Sequence, residues 1–288
     1  MKKTAKFFIA TAVAAVLALS GCAQTPSEPI VIGSQAYYSN EIIAETYAQV
    51  LEDAGYTVDR KFSLGQRDVY VPALLAGEVD LFPEYTGNLL QFFDATATAT
   101  VANDVYSALS AALPDGLSAL DMSGASDQDS YNVTSDFAAK NNLVSIGDLA
   151  SLTGLKLGGA PELAERPYGP TGLESFYGVE VEFEATGDTT VDALTAGLVN
   201  MANVYSADPR IQQLGLVTLT DPKGLFLASN VVPIASDLVD QKARDLINEV
   251  SKAMTAQDLV SMNVRSVEEQ LSAAQIARAW LVSKSLIK

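Results

Sequence analysis

Apolar and polar positions divide the chain into a leader and two blocks of alternating strand and helix periodicity. Lys2, Lys3 and Lys6 form a basic start, and Phe7 to Leu19 is an apolar run broken only by Thr11. That run is shorter than the ~20 apolar residues of a membrane-spanning helix, and it has the layout of a secretory leader. After residues 23–29, a Pro-containing tether, Ile30 to Ser34 reads as a buried strand. Ile43, Tyr47, Val50, Leu51 and Ala54 mark one face of a helix that Ser39 can cap and Gly55 stops. Thr57 to Leu64 reads as a second strand, Asp68 to Ala76 as a helix closed by Gly77, and Val79 to Phe82 as a third strand. Residues 95–102, alternating Ala and Thr, read as a loop or frayed helix start before a helix from Val105 to Leu113.

The second block has the same rhythm. Leu155 to Gly158, Val179 to Phe183 and Met201 to Tyr205 read as strands; Leu173 to Tyr177 and Val191 to Leu198 read as helices. Ser145 with Asp148 forms a capping box before a short helix. Val231 to Ile234 is a late strand, and Ser266 with Glu269 is expected to cap a helix carrying Leu271, Ala274, Ala277 and Leu281. Such alternation predicts an α/β fold, parallel sheet with covering helices.

The two blocks share an internal echo. Ala73 to Thr86 and Ala193 to Ser206 both read A-L-x-A-G-x-V-[D/N]-x-x-x-x-Y-[T/S], offset by 120 positions. Each ends a helix at Gly, runs a short strand and delivers a tyrosine, Tyr85 or Tyr205, beside a small hydroxyl residue. Ligands of parallel α/β sheets bind outside the carboxyl ends of strands. The echo therefore predicts two lobes that aim Tyr85 and Tyr205 into one cleft.

Composition narrows the chemistry. Cys22 is the only cysteine, so no internal disulfide can form. Its setting, Leu19-Ser20-Gly21-Cys22, resembles a bacterial lipobox, which implies lipidation of Cys22 and anchoring to the outer face of the membrane. The net charge is −17, and becomes −20 when three lysines leave with the leader. A balance this acidic argues against nucleic acid, whose phosphates need cationic neutralisation, and favours cationic ligands by long-range attraction. The chain has no histidine, which removes Ser-His-Asp and Cys-His machinery and, with Cys22 taken, His/Cys zinc sites. No Gly-rich stretch forms a nucleotide-binding fingerprint, and no cofactor or metal is expected.

Tyr37, Tyr85, Tyr131 and Tyr205 are the residues expected at the cleft. A quaternary ammonium cannot donate a hydrogen bond, and aromatic faces hold it at ~0.5–2 kcal/mol per ring. Arg166 is a candidate for gripping a ligand carboxylate in bidentate fashion. Ser34 and Gln35, after the first strand, offer donors at a helix entry. Glu84 and the pair Asp127 and Asp129 could instead form a catalytic carboxyl pair, which leaves an anchored hydrolase as an alternative. A surface adhesion module is another.

Several stretches carry a resemblance. They are Ile32-Gly33-Ser34, the run from Gly77 to Gly87, Asp127 to Tyr131, Arg166 to Leu173, Val204 to Asp208 and Leu219 to Lys223. With these the chain resembles the substrate-binding proteins of osmoprotectant (glycine betaine, carnitine, choline) ABC importers, from about Ile30 to Ile287. The resemblance implies a two-lobed type II periplasmic-binding fold with crossover hinge strands. Residues 30–133 and 226–288 are expected in lobe 1 and 134–225 in lobe 2. It implies a monomer that hands a small quaternary ammonium or zwitterionic ligand to ABC permease and ATPase subunits. It also implies a tyrosine cage of Tyr85, Tyr131 and Tyr205 and a carboxylate contact at Arg166; Thr86 and Asp129 are further candidate ligand-binding residues. Two departures stand out: Ser229 occupies the place of a further cage tyrosine, and Ala207-Asp208-Pro209 replaces Thr-Asp-Gly. Tyr37, Tyr168 or Phe226 are the aromatic residues available to rebuild that wall, and another betaine or an amino-acid-like zwitterion is the alternative ligand.

Overall fold

The computed structural model describes residues 28–288; the leader, Cys22 and most of the tether lie outside them. From its start the chain builds β1 (Ile30–Gly33), α1 (Tyr38–Asp53), β2 (Val58–Lys61), α2 (Arg67–Leu75) and β3 (Leu81–Tyr85). Next come α3 (Thr86–Phe93), α4 (Ala102–Ala112) and β4 (Leu117–Ala119). The second block comprises β5 (Asp129–Val133), α5 (Ser135–Asn141), β6 (Leu155–Gly159), α6 (Pro170–Tyr177) and β7 (Val181–Ala185). It continues through α7 (Thr190–Thr195), β8 (Met201–Tyr205), α8 (Arg210–Gln213) and β9 (Val217–Thr218). The chain closes with β10 (Val231–Ser236), α9 (Gln241–Ala253), α10 (Ala256–Val267) and α11 (Ala273–Ser283).

These strands form two five-stranded sheets, ordered β2-β1-β3-β10-β4 and β7-β6-β8-β5-β9. The orders are the same pattern. In the first sheet, β1 runs parallel to β2 and β3, while β10 is antiparallel to β3 and β4. In the second, β6 runs parallel to β7 and β8, while β5 is antiparallel to β8 and β9. The expected boundary after residue 133 therefore falls one strand late. Asp129–Val133 hydrogen-bonds within the second sheet, so the chain crosses between lobes before β5 and returns after β9.

Each lobe has its own apolar core. Ile32, Ile43, Tyr47, Leu51, Ile247 and Leu281 pack beneath one face of the first sheet, and Tyr70, Phe82, Leu90, Leu109 and Val232 beneath the other. The second lobe buries Val133, Leu157, Leu173 and Tyr177 in one cluster and Val191, Leu194 and Val204 in another.

The sequence echo has a local structural cause. Gly77 and Gly197 end α2 and α7 at φ +70° and +72°, a left-handed turn that glycine adopts without a Cβ penalty. Three residues on, Asp80 and Asn200 do the same job. Asp80 donates its amide to Val31 O at 2.8 Å and accepts the Val31 amide on its carboxylate at 2.8 Å. Asn200 donates to Lys156 O at 3.0 Å and accepts the Lys156 amide at 2.8 Å. Both clip the incoming strand to its parallel neighbour, which sets where the tyrosine five positions later emerges.

Two capping expectations fail. Ser266 lies inside α10; the helix breaks at Gln270, with φ +53°, and Ser272 caps α11 in a box with Gln275. Helix α1 begins at Tyr38, one residue before Ser39, and Ser39 makes no cap. The Ser145–Asp148 box is present, with Asp148 accepting the Ser145 amide at 2.7 Å.

Candidate functional site

The carboxyl ends of β1 and β3 face those of β6 and β8 across a cleft of about 390 Å³. Gln35, Tyr37, Tyr38 and Gln66 line it from the first lobe; Glu162, Thr190, Asn203 and Tyr205 line it from the second. A recess of about 10 Å³, sharing Gln35, Tyr37 and Tyr205 with the cleft, is lined also by Arg67, Tyr85, Asn88 and Asp127. Tyr85 and Tyr205, the ends of the two repeated units, thus share one space.

Several bonds position this wall. Asn40, on α1, accepts the Gln35 amide at 2.8 Å and donates to Pro83 O at 2.8 Å, tying the loop after β1 to the strand that carries Tyr85. The Tyr37 ring lies 5.1 Å from the Tyr205 ring and 4.8 Å from that of Tyr38. Its hydroxyl donates to Asp127 at 3.2 Å, and the Ala207 amide donates to the other Asp127 oxygen at 2.9 Å. Tyr205 pairs across the sheet with Asp129, and Tyr85 with Val231, so each tyrosine sits where its strand meets a crossover.

A buried ion pair supports Tyr85 from behind. Arg67 donates from Nε and Nη2 to the two Glu84 oxygens at 2.9 and 2.8 Å. The Tyr70 hydroxyl donates to Glu84 as well, and the Tyr85 amide donates to it at 2.7 Å. The sequence had offered Glu84 as a catalytic acid; all its acceptor capacity instead serves Arg67, Tyr70 and Tyr85.

Electrostatically the cleft is acidic and its phenols are neutral. Burial, foremost, holds the Tyr37, Tyr85 and Tyr205 hydroxyls above the ordinary phenol range, so each ring keeps its intact quadrupole. Burial also raises the Asp127 carboxyl to about 7, with Asp129 and Asp208 adding repulsion and the Ala207 and Tyr37 hydrogen bonds pulling the other way. Asp129 is raised for the same leading reason.

Other expected site residues fall elsewhere. Tyr131 is fully buried in the core of the second lobe, its ring 5.1 Å from Phe226 and its hydroxyl on Tyr168 O. Two residues along a strand advance it by ~7 Å, which takes it behind Asp129 and out of the cleft wall. Ser34 is buried and structural: it accepts the Ser63 amide at 2.9 Å and donates to Gln35 O at 3.1 Å. Thr86 is also buried, donating to Ala228 O and accepting the Asn230 amide, both at 3.0 Å, so it staples α3 to the returning crossover. Arg166 lines a second small recess with Arg67, Asp129, Glu162, Tyr168 and Tyr205. Asp129 is buried there and accepts from Asn88 at 2.7 Å.

Ser229 is buried and bonded. Its hydroxyl donates to Asn88 Oδ1, while the Asn88 side chain donates to Asp129 and, at 3.0 Å, to the Tyr168 hydroxyl. A polar bridge between the lobes therefore runs from Ser229 through Asn88 to Asp129 and Tyr168. Arg67, Asn88 and Asn203 were not singled out from the sequence. Asn88 sits two residues after Thr86, but its partners are 41, 80 and 141 positions away.

Two α/β lobes of matching topology, joined by paired crossovers and enclosing an aromatic, acidic cleft, define a two-lobed solute-binding protein with the type II periplasmic-binding fold. A family model described as the substrate binding domain of ABC-type glycine betaine transport systems (OpuAC) matches residues 28–283. The chain belongs to that family. It is 28% identical over 282 residues to the glycine betaine-binding protein YehZ of Escherichia coli K12, spanning 91% of this chain and 92% of YehZ. The apo structure of YehZ superposes with a TM-score of 0.67 over 90% of this chain and 99% of that one. A glycine betaine/carnitine/choline ABC transporter structure, 20% identical, gives 0.74 over 90% and 100%. Lactococcal OpuAC in its closed form with glycine betaine, 13% identical, gives 0.64 over 89% and 96%. The chain is thus a binding component of an ABC importer, a class that works outside the cytoplasm.

Proposed function

We propose that this chain captures a small quaternary ammonium osmoprotectant between its lobes and hands it to an ABC permease and its ATPase. The observation that carries this reading is the convergence of Tyr37 and Tyr205, from opposite lobes, on one cleft of about 390 Å³, with Tyr85 and the buried carboxylate of Asp127 lining a recess that shares these two rings. A permanently charged trimethylammonium group offers no donors, so it is held by ring faces and by a nearby negative charge rather than by directed bonds. Closure of the lobes would complete the wall around it. Anchoring by lipid at Cys22 and action as a monomer complete the proposal; both rest on the sequence.

Isothermal titration of the mature chain with glycine betaine, choline and carnitine tests it; absence of heat from all three would end the proposal. The tyrosines give a sharper check. Tyr205→Ala removes one ring face and is expected to weaken binding by roughly 2- to 30-fold, the fold-change of ~0.5–2 kcal/mol per ring. Tyr131→Phe, in the core, should leave affinity within about twofold while costing ~1 kcal/mol of stability for its lost hydrogen bond. Equal losses of affinity in the two variants would show that the rings do not form the site.

A further inference from the structure

We infer that Asn263, a residue of α10 that lines neither the cleft nor its recesses, is a positioning residue for Tyr205. On the reading of Tyr205 as a wall of the ligand site, on which this rests, a helix of the first lobe sets the aim of a ring that the second lobe carries.

Tyr205 ends β8, and the turn after it, Ser206 to Asp208, decides where that end lies. A strand end frays unless the next peptide groups are held. The Ser206 amide donates to Gln128 O at 2.8 Å, and the Ser206 hydroxyl accepts the Gln128 amide at 2.9 Å, which ties the turn to the crossover before β5. The Ala207 amide donates to Asp127 at 2.9 Å, and the Asp208 amide closes back on Tyr205 O at 2.9 Å. These partners all belong to the crossover or to the turn's own strand. Asn263 comes from elsewhere: its Nδ2 donates to Ala207 O at 3.0 Å from 56 positions along the chain.

The contact lies inside the first lobe. Asn263 and Ala207 are both buried. Ala207 belongs to the same apolar cluster as Tyr85, Leu259 and Met262, although its strand belongs to the second sheet. The turn behind Tyr205 is thus inserted into the core of the opposite lobe, and Asn263 is the polar side chain that meets it there. Ala207 is held at both ends of its backbone, by Asp127 at the amide and by Asn263 at the carbonyl. Two residues separate it from the ring, so a shift of this backbone moves Tyr205.

Stability alone does not account for the residue. Only half of its amide is satisfied: Asn263 Oδ1 has no hydrogen-bond partner among the described residues. An orphaned buried acceptor forfeits much of what the bonded nitrogen gains. What the side chain does supply is direction, since only its nitrogen can donate to a carbonyl.

A double-mutant cycle on the mature chain, titrated with glycine betaine and with choline, tests this. Asn263→Leu keeps the shape of the side chain, strands Ala207 O and removes the orphaned Oδ1, two effects of opposite sign, so the variant should fold. It is expected to bind about 3- to 10-fold more weakly than the parent, and to cost less than about twofold in the Tyr205→Ala background, where the ring it positions is gone. No loss in the parent background, or an equal fold-loss in both, would overturn the role. Should thermal melting show the leucine variant unfolded, Asn263→Ala replaces it with the same outcomes. A readout without ligand runs beside the cycle. In chains labelled with 3-fluorotyrosine, the Tyr205 fluorine resonance, assigned through Tyr205→Phe, should move or broaden in Asn263→Leu, while that of Tyr177, in the core of the second lobe, stays in place. A Tyr205 resonance left unchanged would equally overturn the role. If the parent bound neither ligand, the reading of Tyr205 as a wall of the site would fall, and the fluorine signal would still decide whether Asn263 holds the ring.

Discussion

Arg67→Ala is expected to lower the thermal midpoint of the chain by about 10 °C. The Arg67 and Glu84 side chains are only 6% and 0% exposed. Deleting one partner of such a pair leaves the other charge buried without compensation, which costs ~3–5 kcal/mol. For a chain of this size each kcal/mol moves the midpoint by about 2–4 °C. The Tyr70 hydroxyl and Tyr85 amide would still reach Glu84, so the variant should fold, with the end of β3 loosened. Replacing both partners, Arg67→Met with Glu84→Leu, leaves no charge stranded but orphans the Tyr70 hydroxyl and the Tyr85 amide, so it should recover only part of the loss. Calorimetric scans of the two variants decide it; a single variant melting within about 2 °C of the parent would contradict the role assigned to the pair.

The affinity for a cationic ligand should fall as the medium is acidified from about pH 7 to about pH 5, by up to tenfold per unit. Asp127, raised by burial to about 7, is half ionised near neutrality. A bound cation favours the ionised form, so binding near pH 7 should release a proton, and protonation at lower pH should oppose binding. Groups facing Asp127 come from three elements: Tyr37 ahead of α1, Asp129 on β5 and Asp208 after β8. Stability of the free protein has the opposite trend. The folded carboxyl binds its proton more tightly than the unfolded one, so its contribution to stability is largest below the unfolded value near 4 and declines as pH rises toward about 7. Titrations in buffers of different ionisation enthalpy would measure the proton released. An affinity that is flat from pH 8 to pH 5, or one equally steep in Asp127→Asn, would exclude this group.

The legible parts of the molecule were those governed by short-range rules. Gly77 and Gly197, Asp80 and Asn200, and Tyr85 and Tyr205 act within one helix-turn-strand unit each, so their spacing survives as a visible repeat. That repeat carried the fold class and the meeting of Tyr85 and Tyr205 in one recess. Arg67 was invisible because its meaning lies in Glu84, packed against it only once α2 folds over β3. Asn88 was invisible for a stronger reason, since its bonds join three distant stretches of chain. Tyr131 was misplaced because Asp-x-Tyr on a strand fixes a face but not a depth. Ser229 was read as a departure, and the sequence could not show that its hydroxyl would bond to Asn88, which also reaches Tyr168.

Helix α1, the first after β1, packs against α9, α10 and α11. The amino-terminal lobe is therefore roofed by the final stretch of polypeptide, whereas β5 through β9 form an uninterrupted insert. During synthesis the insert has all its parts early, but its host must wait for the last residues before Ile43 and Tyr47 are covered. A ribosome-bound or half-threaded chain would present that uncovered stripe to chaperones until release, and loss of α11 would bare the face of α1 it packs against.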